Sequence, residues 1–384
     1  MSTVYLFNPE NDMALASGSP YYMAPANIKK MAADLSALPA WYAPSGSGVL
    51  VSDERQREWM IKEYGTLLDV DWVLEIPKSC DRICPWGWNH ALLHRLGELG
   101  IPAVSLFSNE QMAKLRTLSS RQMAVDLLPR LRVEHTIGES NILTSLESLK
   151  VFVAKGERVM LKSPWSGSGK GVRMVDDLSD PSVYGWAKRI VSSQGAIVVE
   201  PFYNKVVDFA MEFNMGHEGV SFVGYSLFET DSRGIYKGNV LASNAMIERK
   251  LSEYVPLKVL TCIRQKCLDE LANIYQGTYE GYLGVDMMIC RKGGECYVHP
   301  CVEVNLRMNM GVVSRLLYDR FMSDRVRGTY TIEYFPNRGD ALAFHEHMKR
   351  DYPLIKDDEW VKSGYLSLSP VSQETSYLIY ALIK

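Results

Sequence analysis

The stretch that most restricts what this chain can fold into is Gly284 to Asn305, GVDMMICRKGGECYVHPCVEVN, in which two β-rich runs flank Gly293-Gly294. Glycine reaches the positive φ angles of a tight turn at no steric cost, so the stretch predicts an antiparallel hairpin. With an even loop, either Gly293-Gly294 alone or Lys292 to Glu295, Asp286 stands opposite Cys301. Glu303 and Asn305 then share the face of Asp286 by the period of two. An odd loop would turn Asp286 to the other side. Two carboxylates and an amide on one strand face are costly unless water or a cation reaches them. Hard oxygen donors in this small number suit Mg²⁺ that also bridges substrate phosphates; the alternative is a face open to water. Arg307 follows Asn305 by two residues, and if the strand continues its guanidinium enters the same space, where it could hold a phosphoryl group or an acyl phosphate; otherwise it is a surface arginine.

A second constellation runs from Val159 to Val172, VMLKSPWSGSGKGV: a strand delivers Lys162, and a loop with glycines at alternate positions returns to an extended run. Such a loop can turn backbone N–H groups toward a phosphate chain. Between residues 155 and 173 stand Lys155, Arg158, Lys162, Lys170 and Arg173 against the single acid Glu157, which suits a polyphosphate. A solvated hairpin tip is the bland alternative. Two standard nucleotide motifs fail here. A P-loop needs glycine where Pro164 stands and Ser or Thr where Gly171 stands, and a dinucleotide fingerprint needs an immediate helix where the text returns to strand.

At 384 residues the chain exceeds what one hydrophobic core usually carries, so two or three packed units are expected. Residues 1–107 alternate strands and helices: Val4 to Phe7, then the turn Asn8-Pro9-Glu10-Asn11-Asp12, later Trp72 to Ile76, and a helix from Trp88 to Leu99. This reads as a small Rossmann-like α/β domain with ligands near strand C-termini. Asn8, Asn11, Asp12, Trp86 and Trp88 are candidates there for an acceptor pocket, against ordinary turn and core roles. Residues 108–203 open with a capping box at Ser108 and Gln111, continue in helices to Leu128, and lead into a β-rich lobe. Its residues 151–162 read as two strands about a Lys-Gly-Glu turn, and residues 196–200 as a buried strand. Residues 204–345 hold strands, a helix from Pro256 at its first position to Tyr275, and the acidic hairpin. Residues 346–384 form a tail packing on the body; His345 and His347 read as surface residues.

Composition excludes several classes. A net charge of −3 offers no field for polyanion capture, so no nucleic-acid partner is expected. No run of eighteen apolar residues occurs and the N-terminus lacks a secretory pattern, so no membrane is expected. Seven cysteines, an odd number without paired CxxC spacing, read as structural thiols in a reducing, cytoplasmic setting.

A lysine strand, the SGSGKG loop, a strand ending at Glu200, then GVDMM and VEVNLRMN, in this order across about residues 105–330, resemble the ATP-grasp superfamily of nucleotide-dependent ligases and kinases. The resemblance implies two α+β lobes that grip ATP. It implies that Lys162 meets the α/β phosphates and that Ser166, Gly167, Ser168, Gly169 and Gly171 close over the phosphate chain. Glu200, Pro201, Phe202 and Tyr203 fall at the adenine hinge, Asp208 at the ribose, and Asp286, Glu303 and Asn305 at the Mg²⁺ ligands. Arg307 falls at an arginine that stabilises phosphate or intermediate. The sequence departs from the pattern where a helical lysine is common, offering Arg121 or else Lys114, and Leu306 replaces a frequent proline. The implied activity is an ATP- and Mg²⁺-dependent ligase that activates a small carboxylate as an acyl phosphate for an amine or similar nucleophile. A small-molecule kinase and a non-catalytic ATP-binding module are the alternatives.

Overall fold

The computed structural model describes residues 3–102, 106–154, 156–167, 171–230, 236–323, 325–357 and 360–384. The chain divides into two compact units, one made of Met1–Met112, Lys237–Ile247 and Arg307–Lys384, the other of Ala113–Tyr236 and Glu248–Leu306.

In the first unit a four-stranded parallel sheet runs in the order Val70–Val73, Ser47–Leu50, Thr3–Leu6, Arg82–Pro85. Val4, Leu6, Ile83, Leu92, Leu96 and Ile101 form its core beside the helix His90–Glu98, whose N-terminus Asn89 caps by accepting from the Leu92 N–H at 2.9 Å. The turn after the first strand is shorter than its sequence implies: Asn11 and Asp12 already belong to the helix Asn11–Ser17, which Gly18 ends. The same unit holds an antiparallel run in the order Tyr236–Leu241, Gly328–Tyr334, Tyr377–Ile383, Trp360–Ser367, Ile355–Asp357. Beyond the helix Asp340–Asp351 the tail therefore enters this sheet as strands. His345 is buried, with Nδ1 3.0 Å from the Tyr365 hydroxyl, not exposed as its polar helix suggests.

In the second unit a four-stranded antiparallel sheet runs Asn141–Leu143, Ile197–Pro201, Val159–Lys162, Val172–Val175. Helices Leu146–Val153 and Pro181–Gln194 cover it through Leu149, Val153, Trp186 and Ala187. Residues 151–153 are thus helix rather than strand. Ser145 caps that helix by accepting from the Ser148 N–H, and Leu149 and Val153 at i,i+4 spacing supply its buried stripe. A second antiparallel set runs Glu295–Asn305, Gly281–Lys292, Lys205–Gly216, Gly219–Thr230, with the helix Leu257–Tyr275 against its last two strands. Pro256 is the N-cap residue of that helix, one position before the first-turn place its sequence suggests.

The acidic hairpin forms as expected, with Gly293 and Gly294 at φ +59° and +90° and Lys292 facing Glu295. Its register then slips. Met288 faces His299, but Asp286 faces Glu303, because the ladder is irregular between these pairs. Pro300 lies in the longer arm and has no N–H to give the ladder, which is where a strand bulges. Asp286 therefore stands opposite Glu303, not Cys301. The slip adds an even number of residues, so the shared face survives.

Candidate functional site

Burial alternates from Val285 to Ile289 and from Glu303 to Asn305: Val285, Met287, Ile289 and Val304 are buried, while Asp286, Met288, Glu303 and Asn305 are part-exposed. The chain thus sends its acids to one face and its apolar side chains to the core. Asp286 and Glu303 are facing Cα partners, and the Asn305 amide donates to Asp286 Oδ2 at 3.0 Å. Facing residues in an antiparallel pair hold their Cβ atoms about 4.5–5.5 Å apart, close enough for both carboxylates to bind one ion. The donor set is two carboxylates and an amide. Among the described residues no group of three or more His, Cys, Asp or Glu side chains is arranged to cage a metal. A partial, all-oxygen set fits Mg²⁺, which keeps waters and takes phosphate oxygens for its remaining positions.

The next strand adds a residue that sequence reasoning missed. Ala210 faces Asp286 and Glu212 faces Gly284, so Glu212, 1% exposed, lies on the acidic face with Gly284 between it and Asn305. The alternation Asp208, Ala210, Glu212 carried that signal. Asp208 is held by Lys205 Nζ at 2.5 Å and by the Thr230 hydroxyl at 3.1 Å.

Lys162 ends its strand almost wholly buried and donates from Nζ to Glu200 Oε2 at 2.5 Å, while the Ser140 hydroxyl donates to Glu200 Oε1 at 3.1 Å. The structure therefore joins the expected phosphate lysine to the expected hinge carboxylate. Pro201 closes the strand, Phe202 is exposed beneath the Arg158 guanidinium, and the Tyr203 hydroxyl accepts from the Glu139 N–H at 2.8 Å. Burial pushes the Tyr203 phenol up to about 12. Beside this group lies His299, facing Met288 and wholly buried, with the Tyr203 ring edge-on at 5.4 Å. Burial lowers its imidazole to about 4, with Lys162 acting in the same direction and Glu200 opposing.

The base of the glycine loop is anchored. The Ser163 N–H donates to the Gly171 carbonyl at 2.8 Å, and the Trp165 indole N–H to the Arg116 carbonyl at 3.0 Å. Ser166 and Gly167 are part-exposed; Ser168, Gly169 and Lys170 lie outside the described residues. Arg121 is 4% exposed and spends its terminal nitrogens on this loop and on the acidic face, reaching Glu303 Oε2 at 2.8 Å. Nothing in its sequence context announced that partner.

In the first unit, the hairpin strand having ended at Asn305, Arg307 forms a two-bond ion pair with Asp12, each N···O 2.7 Å. The pair is held by backbone. Asn8 exchanges two hydrogen bonds with Gly87, at 2.8 and 3.2 Å, and the Met308 N–H donates to the Trp86 carbonyl at 2.9 Å. Asn11, with its amide nitrogen turned inward, donates to the carbonyls of Gly87 and Trp88 at 3.0 and 3.1 Å. Trp86 is buried against Phe7, a core role, and Trp88 meets Phe107 edge-on. All seven cysteines are free, and among the described residues no helix is long and apolar enough to cross a membrane.

No family profile matches the sequence, and no curated protein matches it significantly. Solved structures do match in fold. Biotin carboxylase from Campylobacter jejuni, solved as a β,γ-ATP complex, shares 14% identity at a TM-score of 0.53, over 100% of this chain and 86% of its own. N5-carboxyaminoimidazole synthetase from Staphylococcus aureus, complexed with ADP, shares 11% at a TM-score of 0.50, over 100% and 93%. The corresponding synthase from Aspergillus clavatus, with ADP and 5-aminoimidazole ribonucleotide, shares 13% at 0.51, over 100% and 94%. The chain has the ATP-grasp fold: mixed α/β, with a parallel N-terminal sheet and antiparallel sheets after it. The resemblance read from the lysine strand and the Glu-x-Asn segment is borne out at that level.

Proposed function

We propose that this protein is an ATP- and Mg²⁺-dependent ligase that activates a substrate carboxylate as an acyl phosphate for attack by an amine or similar nucleophile. The observation that carries this reading is the facing pair Asp286 and Glu303 with Asn305 beside it, on the same unit as the Lys162–Glu200 pair. Asp286, Glu303 and the Asn305 carbonyl oxygen would hold Mg²⁺, which when bound offsets the charge of the nucleotide phosphates. Lys162 adds a fixed ammonium for the phosphate chain, and Arg121 a guanidinium at the loop base. Ser166, Gly167 and Gly171, with Ser168 and Gly169, supply the backbone N–H groups of a phosphate-covering loop. Glu200, Pro201, Phe202 and Tyr203 receive the adenine, partly through backbone groups, and Asp208 the ribose. The substrate carboxylate attacks the γ-phosphorus, the acyl phosphate forms as ADP leaves, and the second nucleophile then displaces phosphate. No side-chain nucleophile is required. Arg307, held by Asp12, is the guanidinium we assign to the acyl phosphate, and the Asn8–Asp12 segment to acceptor recognition. The ADP, MgADP and bicarbonate named with the matched structures support a nucleotide and a small acid as ligands, and the seven free thiols support a cytoplasmic setting.

The test is a hydroxylamine trap. The protein is incubated with ATP, Mg²⁺ and a library of carboxylic acids, and hydroxamates and ADP are measured by mass spectrometry. A hydroxamate formed in step with ADP supports the ligase. ADP with a stable phosphorylated alcohol would move the assignment to a kinase, and ATP binding without turnover would leave a binding module.

A further inference from the structure

We propose, on the reading of Asp286 and Glu303 as cation ligands, that Arg121 competes with the divalent cation for Glu303, so that cation binding unties the base of the glycine loop from the acidic strand. Arg121 is a positioning residue in this account. Its Nη1 donates to the Ser163 carbonyl at 2.7 Å and to Ser166 Oγ at 2.6 Å. Its Nη2 donates to the Ser166 carbonyl at 3.3 Å and to Glu303 Oε2 at 2.8 Å. The two terminal nitrogens carry four N–H bonds, and all four are used. Three go to the loop base and one to the acidic face. Its backbone N–H adds a fifth tie, to the Pro164 carbonyl at 2.9 Å.

Charge explains the arrangement. Asp286 and Glu303 face each other across the ladder and repel when both are ionised. The Asn305 amide meets Asp286, and the Arg121 guanidinium meets Glu303, so the guanidinium supplies at Glu303 the positive charge that a divalent cation would bring. The arrangement is incomplete, since Arg121 Nε is buried and has no acceptor among the described residues. A divalent ion at the carboxylate pair carries twice the charge and takes the Glu303 oxygen. Arg121 then keeps only its loop contacts, and residues 163–166 lose this charged tether to the acidic strand.

The experiment uses Mn²⁺ without nucleotide, on the full chain. Binding is read from the electron paramagnetic resonance of free Mn²⁺, and loop release from the rate of tryptic cleavage after Lys170 or Arg173, the bonds identified by mass. Wild type is compared with R121Q, R121K and E303Q. R121Q should bind Mn²⁺ about tenfold more tightly than wild type, the worth of one charge-assisted hydrogen bond removed from a competitor. R121K, which keeps the charge without the fork, should fall between them. Mn²⁺ should speed loop cleavage several-fold in wild type, and R121Q should be cut at the faster rate with or without the ion. Equal Mn²⁺ affinity in wild type and R121Q, or cleavage of wild type indifferent to Mn²⁺, overturns the exchange. Loss of binding in E303Q with no change in R121Q leaves the metal site standing and sinks only the exchange, whereas no binding by wild type sinks both. Should R121Q fail to fold, the same readings on R121K decide.

Discussion

His299 offers a quantitative check on the buried ground beneath the proposed nucleotide site. Among the described residues neither of its ring nitrogens has a hydrogen-bond partner, and Glu200, Lys162 and Arg132 are the charged groups around it. Burial holds the folded imidazole at about 4 against 6.5 for the free side chain. Between those values the unfolded chain binds a proton that the fold refuses. The contribution is therefore intact above pH 6.5 and is lost as the pH falls toward 4. At about 1.4 kcal/mol per pH unit the whole displacement is worth about 3 kcal/mol. Phenylalanine matches the ring in size and cannot titrate, so His299→Phe should remove this acid limb while leaving every carboxylate in place. Urea denaturation of both proteins from pH 7.5 to 4.5 measures it. The stability of the variant relative to wild type should rise by about 2–3 kcal/mol over that range. A constant offset from repacking does not alter this slope. Parallel profiles would refute the reasoning, because they would mean that His299 reaches solvent or a partner in the fold.

The buried Lys162–Glu200 pair predicts a strong non-additivity. Glu200→Gln alone leaves an ammonium buried without its counter-charge and should cost about 3–5 kcal/mol, whereas Lys162→Met with Glu200→Leu should recover most of it in the same urea assay. A single-variant cost below about 1 kcal/mol would contradict the burial of the pair. Gly138 lies at φ +142°, and a Cβ there would stand 2.8 Å from His299 Nε2. Gly138→Ala should destabilise by about 2–4 kcal/mol, and combining it with His299→Ala should return at least about 1 kcal/mol of that by relieving the clash. Additive losses would show that backbone strain, not the imidazole, sets the cost.

Much of this architecture was legible because period and turn chemistry agree. The Gly293-Gly294 turn and the alternation of Asp286, Glu303 and Asn305 with apolar neighbours gave the hairpin and its acidic face. The register differs by two residues from that of an unbroken ladder, and Pro300, which cannot join the ladder, is the sequence signal of that bulge. Val151 to Val153 looked like a strand because three apolar residues in a row fit either period; the Ser145 cap and the spacing of Leu149 and Val153 decide for helix. The pairs Arg121–Glu303 and Arg307–Asp12 span 182 and 295 residues of sequence, and no local pattern specifies contacts of that range. Glu212 stands in a strand whose apolar richness masks its alternating acids.

Asp286 and Glu303 are proposed to serve a nucleotide-bound cation. Calorimetric titration of ATP, with and without Mg²⁺, into wild type and the Asp286→Asn/Glu303→Gln double variant tests it most directly. Mg²⁺ should tighten ATP binding at least about tenfold in wild type and leave the double variant, which keeps Lys162 and the loop, at the metal-free affinity. A double variant that retains the full Mg²⁺ dependence would contradict the claim.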